Sequence, residues 1–186
     1  MMKSGIRILA LDDSRFRKTD RNALVVGIVG MKDNIDGVIS FYVSVDGSDA
    51  TEKLISSVKK SRFLGQIKLI AIQGITFAGL NLVDVLELSK KLKVPVVAVT
   101  RKKPHTAQLI AAMKAAQIKD FEKRKRKLKE IYEKTSHKYA NGFYFEYTAG
   151  IGKEEIRKFS QEMVYLLRLA HIVAGGVATG ESKGRI

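Results

Sequence analysis

Carboxylates are the residues of this chain best suited to chemistry, and two of them stand together where an apolar run stops. Ile6, Arg7, Ile8, Leu9, Ala10 and Leu11 lead directly into Asp12, Asp13 and Ser14. Side chains alternate across a strand, so one acid is expected to face a cleft while the other caps the turn that follows. A carboxylate in a cleft binds a hard cation such as Mg²⁺. Asp46, Asp49, Asp84, Glu146 and Glu181 are the further candidates. Two or three of these gathered at one cleft would hold the ion and leave room for water and a phosphate, as metal-assisted phosphodiester cleavage requires. Asp49 precedes Glu52 by three residues and reads as a helix cap, whereas Asp46 has no such structural duty.

Other side chains fall beside these acids. Gln73 ends an apolar run and opens a loop with Gly74 and Gly79, in which Thr76 or Asn81 reads as a helix cap. Arg101, Lys102 and Lys103 follow another such run, at the same sheet edge, and suit a phosphate backbone. Arg168 and His171, three apart, share a helical face. Residues 175–182 superficially resemble a phosphate-binding P-loop, but Glu181 stands where lysine is required and no helix follows.

The elements that must position these residues are legible from periodicity. Residues 6–11 read as a strand buried on both faces. Residues 23–31 and 37–45 read as an antiparallel hairpin joined by 32–36, and 50–61 as a helix with Ala50, Leu54, Ile55 and Val58 on one face. Strand 67–72, helix 80–92, strand 95–100 and helix 105–116 follow. Residues 118–138 carry nine basic and four acidic side chains, yet Ile118, Phe121, Leu128, Ile131 and Tyr132 keep helical spacing. A strand over 143–148 and a long helix from Ile156 to Gly175-Gly176 close the chain. Three antiparallel strands followed by strand-helix crossovers give an α/β mixed sheet flanked by helices, the ribonuclease-H-like order, as one domain over residues 1–186. That order centres the first strand, beside 67–72, with Asp12 at the crevice where the strands end.

Composition narrows the partners. With 186 residues, 45% hydrophobic and 28% charged, the chain has the balance of a soluble globular domain. The absence of cysteine excludes disulfides, zinc-thiolate sites, iron-sulfur clusters and thiol catalysis. Arg168 and His171 interrupt the best apolar run, 164–178, and the N-terminus lacks a signal pattern, so no membrane partner and a cytoplasmic location are expected. Lys+Arg of 34 against Asp+Glu of 19 leaves a net charge of +15, which makes nucleic acid the expected partner.

Five blocks carry a family resemblance: Leu11-Asp12-Asp13-Ser14, residues 46–51, residues 74–84, residues 167–174 and residues 180–185. Together they resemble the archaeal endonuclease dU family, itself distantly similar to endonuclease V. The resemblance implies a ribonuclease-H-like fold and Mg²⁺- or Mn²⁺-dependent cleavage of nucleic acid near deaminated bases. It puts Asp12 at the metal-binding aspartate that ends the first strand, and Asp46, or less closely Asp49, near the second acid. Gln73 stands at the third acid and Ile151 at the histidine of a late Ser-Pro-Gly-His motif. His171 or Glu146 would have to compensate. The resulting expectation is a metal-dependent endonuclease, with Asp12, Asp46 and His171 as catalytic residues and Asp12, Asp13, Asp46 and Gln73 as metal ligands. Arg101, Lys102, Lys103, Arg168 and Arg185 would hold nucleic acid. The alternatives are a non-catalytic nucleic-acid-binding protein with a degenerate metal site, and a small nucleotide- or phosphoester-binding protein using the Gly74 to Gly79 loop.

Overall fold

A computed structural model describes residues 5–17 and 19–182. Seven strands form one mixed sheet. The strand that ends on the paired acids, β1 (Arg7–Asp13), is central: Ile8 to Leu11 are fully buried, as an apolar run covered on both faces must be. It pairs antiparallel with β2 (Asn22–Met31), which pairs with β3 (Asn34–Ser44) at the sheet edge. On its other side β1 runs parallel to β4 (Ile67–Gln73). The hairpin connection is tighter than its polar residues suggest, because β3 starts at Asn34 rather than Gly37. A register shift at Gly30 takes up the extra length.

Two clusters of buried side chains cover the two faces. Leu9 and Leu11 point to one, under α1 (Ala50–Lys60) and later helices; Ile8 and Ala10 point to the other, under the last helix. Gly37 permits close packing on the first face, since any Cβ there would lie 2.4 Å from the Phe63 ring.

Between β4 and the next helix the chain departs from expectation. Residues 80–84 are not helical: β5 (Thr76–Phe77) and β6 (Asn81–Leu82) make a small hairpin, and α2 (Val85–Leu92) starts later. Asp84 caps α2, its carboxylate accepting from the Leu86 and Glu87 amides. Then β7 (Val96–Thr100) runs parallel to β4, followed by α3 (Thr106–Ala115) and α4 (Phe121–Lys134).

The basic stretch does not stay helical to residue 138. It turns into β8 (Ser136–Ala140), which pairs with β9 (Phe143–Tyr147). The edge strand is therefore β8, with β9 inserted antiparallel beside β7. The last helix, α5 (Lys153–Thr179), passes through Gly175-Gly176 rather than stopping there. It is long and apolar enough to cross a membrane, but Ile156, Phe159, Met163, Leu166, Leu167, Ala170 and Ala174 are buried against the sheet.

Candidate active site

The carboxyl ends of β1 and β4 meet as expected, and alternation distributes their side chains. Ile8, Ala10, Leu69 and Ala71 face α5, so Asp12 and Gln73, each the next residue of that parity, face α5 as well. There Asp12 is only 3% exposed and meets His171 of α5, with Oδ2 and Nδ1 2.8 Å apart. Oδ1 accepts from the Asp13 amide at 2.9 Å. Burial, and then the negative charge of Asp13, push the Asp12 carboxyl up to about 7, against the opposing pull of His171. Gln73 Oε1 is buried without a hydrogen-bond partner. Of the residues singled out in the sequence, the structure brings Asp12 and His171 into contact, with Gln73 at the end of the neighbouring strand.

The other acids take different duties. Asp13 does not cap its own turn; its Oδ2 accepts from the Ala78 amide at 2.7 Å, and burial raises its carboxyl too. Asp46, at a positive φ of 53°, spends Oδ1 on the Leu80 amide at 2.9 Å. Gly79 lies between these two contacts, where a Cβ would come within 2.4 Å of Asp46 Oδ1. Asp13 and Asp46 therefore fasten the hairpin loop from two sides. The Ala78 and Leu80 amides are thus already bonded to carboxylates and are not offered to a phosphate.

Asp49 stands before α1 but makes no side-chain cap bond; it binds Ser44, Asn81 and Lys53 instead. Burial opposes its ionisation, but those bonds outweigh it and hold the carboxyl well below the usual range. The first turn of α1 is served by Asn81, whose Oδ1 accepts from the Ala50 amide. Asp84 pairs with Lys127, Glu146 bonds Thr135, Glu181 is exposed in the tail and Ile151 is a core residue. Among the described residues no group of three or more His, Asp or Glu side chains gathers to hold a metal ion.

One structural residue was missed. Arg124 of α4 is 7% exposed and donates to the carbonyls of Leu80 and Asp46 while pairing with Asp120. Its only signal was the i,i+4 spacing to Asp120 inside a basic run, which many solvated helices share. Arg101, Lys102 and Lys103 are exposed just beyond β7, and Arg168 is exposed one helical turn before His171. Arg185 lies outside the described residues.

Solved structures and known sequences resemble this chain. A crystal structure of a protein of unknown function from Archaeoglobus fulgidus superposes with a TM-score of 0.82 at 33% identity, covering 94% of this chain and 99% of that one. Human endonuclease V superposes at 0.52 with 12% identity over 91% and 83% of the two chains, which identifies the fold as ribonuclease-H-like. A UPF0215 protein of Methanothermobacter thermautotrophicus is 38% identical over 98% of this chain and 93% of its own length. The family model for endonuclease dU matches residues 4–178, so the expectation from the five sequence blocks holds and the chain belongs to the endonuclease dU family.

Proposed function

We propose that the protein is a divalent-metal-dependent endonuclease acting on deaminated-base or structured nucleic acid. The observation that carries this reading is the crevice at the ends of β1 and β4. It holds a buried carboxylate paired with an imidazole and an amide oxygen with no partner. Such oxygens fit a hard cation: Asp12 and the Gln73 amide would hold Mg²⁺ or Mn²⁺, which would polarise the phosphodiester and lower the pKa of water, while Asp13 fastens the β5–β6 loop on the opposite face. With glutamine in place of a third acid, the site carries less negative charge than three carboxylates would supply.

The chain's own groups do the rest. Asp12 fixes His171 through Nδ1, so Nε2 is oriented to take or deliver a proton at the reacting phosphate. Arg101, Lys102, Lys103 and Arg168 supply charge for the backbone on either side. Asp46 acts at one remove, through the loop it shares with Asp13. Human endonuclease V has the same fold, which supports a nuclease reading without assigning a substrate.

The test is cleavage of uracil- and hypoxanthine-containing oligonucleotides with Mg²⁺ or Mn²⁺. Cleavage is expected, with a loss of at least a hundredfold in Asp12→Asn and a smaller loss in His171→Ala, the range general acid-base catalysis usually covers being about 10²–10⁴. Cleavage undiminished in Asp12→Asn would refute this site. A binding-only reading is favoured by Gln73 and Ile151, and predicts salt-dependent binding with no cleavage under either metal.

A further inference from the structure

The sheet ends in two edge strands that are treated differently. β8 is five residues long and carries Lys138, the short, charged form that keeps an edge from recruiting another strand. β3 is eleven residues long and contains neither lysine, arginine nor proline. On its α5-side face Val38 is 51% and Tyr42 59% exposed, because α5 lies over β1 and β2 and stops short of the edge. Its opposite face is covered, with Ile39 and Phe41 packed on the core beneath α1.

The backbone at this edge is also open. Ser44 turns its amide to Asp49 and its carbonyl to Asn81 and Gly47, away from β2. Alternate residues of an antiparallel strand point their N–H and C=O groups the same way. Val38, Ser40 and Tyr42 therefore aim theirs off the sheet, and among the described residues no strand pairs with them. Asp36, in the irregular stretch before Gly37, is the strand's one charge and is neutralised by Arg7.

From this we infer that β3 is a homodimer interface: two copies of the chain pair antiparallel through their β3 edges, with the two-fold axis at Ser40. The occupant is a second copy because the open set is symmetric about its own centre. Val38 meets Tyr42 of the other copy, Ser40 meets Ser40, and Tyr42 meets Val38. Every outward N–H and C=O of the three residues finds a partner, and the exposed valine and tyrosine cover one another as a β-branched and aromatic cross-strand pair. Charge points the same way. Two bodies of net charge +15 repel, and β3 is a strip that contributes no cation to the contact. The joined sheets would be continuous, leaving both β1–β4 crevices free.

The chain has no cysteine, which makes the register directly testable. In the paired arrangement the two Ser40 Cα atoms sit about 5.5 Å apart, within disulfide range. Ser40→Cys in the full chain is expected to form a disulfide-linked dimer on mild oxidation, whereas Lys68→Cys, an exposed control at the start of β4, is not. By light scattering or sedimentation the unmodified protein is expected at twice the chain mass. Added salt should strengthen the association by screening the repulsion. Val38→Lys with Tyr42→Lys, both at exposed positions, should halve the mass while the circular dichroism spectrum stays that of the folded protein. A monomeric unmodified protein in high salt, a dimer that persists in the double lysine variant, or cross-linking of Ser40→Cys no faster than the control would each overturn the inference.

Discussion

Asp12 was legible because an apolar strand stops on it, but its partner was not. His171 lies 159 residues later, and a lone histidine on a helix gives no sign of what it faces. Only the crossing of α5 over β1 joins them. The same limit applied to Glu146, a buried acid on β9 whose neighbour Thr135 was read as part of a helix. Thr135 Oγ1 lies 2.8 Å from the Ile131 carbonyl and donates to Glu146 Oε1 at 2.9 Å. Burial raises the Glu146 carboxyl, with Thr135 and His137 pulling the other way. Below the ordinary carboxylate range the native and unfolded chains both hold the proton and stability is full. As the pH climbs through the raised native value, the unfolded chain has already released the proton and stability is lost. Glu146→Gln keeps the hydrogen bond without the titration. Its Tm should exceed that of the unchanged protein at neutral and alkaline pH and lose that advantage in acid, measured by thermal unfolding across the pH range. An equal difference at every pH would rule out this proton as the cause.

At the scale of elements, the long periodic segments were readable and the short ones were not. β5 and β6 have two residues each, too few for any period to register, and β8 continues a charged run whose spacing looks helical until β9 is there to pair with it. β5 and β6 lie beside the end of β1, the loop between them bonded to Asp13. The β5–β6 loop is held from the sheet by Asp13 and Asp46, and from α4 by Arg124, whose guanidinium bridges the carbonyls at 46 and 80. α4 is thereby less a surface helix than the outer support of that loop. Removing the guanidinium leaves two carbonyls and the Asp120 carboxylate without their donor. Arg124→Ala is expected to destabilise the protein by about 2–3 kcal/mol in denaturant unfolding, the usual worth of hydrogen bonds to a charged group. Arg124→Lys should recover only part of this, since an ammonium lacks the planar fork that reaches both carbonyls. A loss below about 0.5 kcal/mol, typical of an unremarkable surface position, would show that the loop stands without α4.

For the molecule as a whole, connectivity rules sufficed to order the first five strands of the sheet, because right-handed crossovers and a tight hairpin leave few alternatives. What the rules could not give is how the excess of cations is distributed over the surface. The fold answers in part: Arg101, Lys102 and Lys103 leave the carboxyl end of β7, on the same sheet edge as Asp12 and Gln73, and are exposed. The basic side chains of α4 lie on the other face, over α2 and α3, and several are spent on Asp84, Glu130 and Asp120. If nucleic acid reaches the crevice, the β7 loop carries its phosphates and α4 contributes little. Each phosphate contact to a duplex contributes about 0.9 to the slope of log binding constant against log salt. Replacing Arg101, Lys102 and Lys103 by alanine should therefore lower the slope by about 2–3 and weaken binding to all sequences alike. Replacing Lys125, Arg126 and Lys129 on α4 should lower it by less than about 1. Titration of a fluorescent oligonucleotide over a range of salt concentrations measures both. The reverse ranking would move the nucleic-acid track from the crevice to α4, and Asp12 with it out of reach of a bound phosphate.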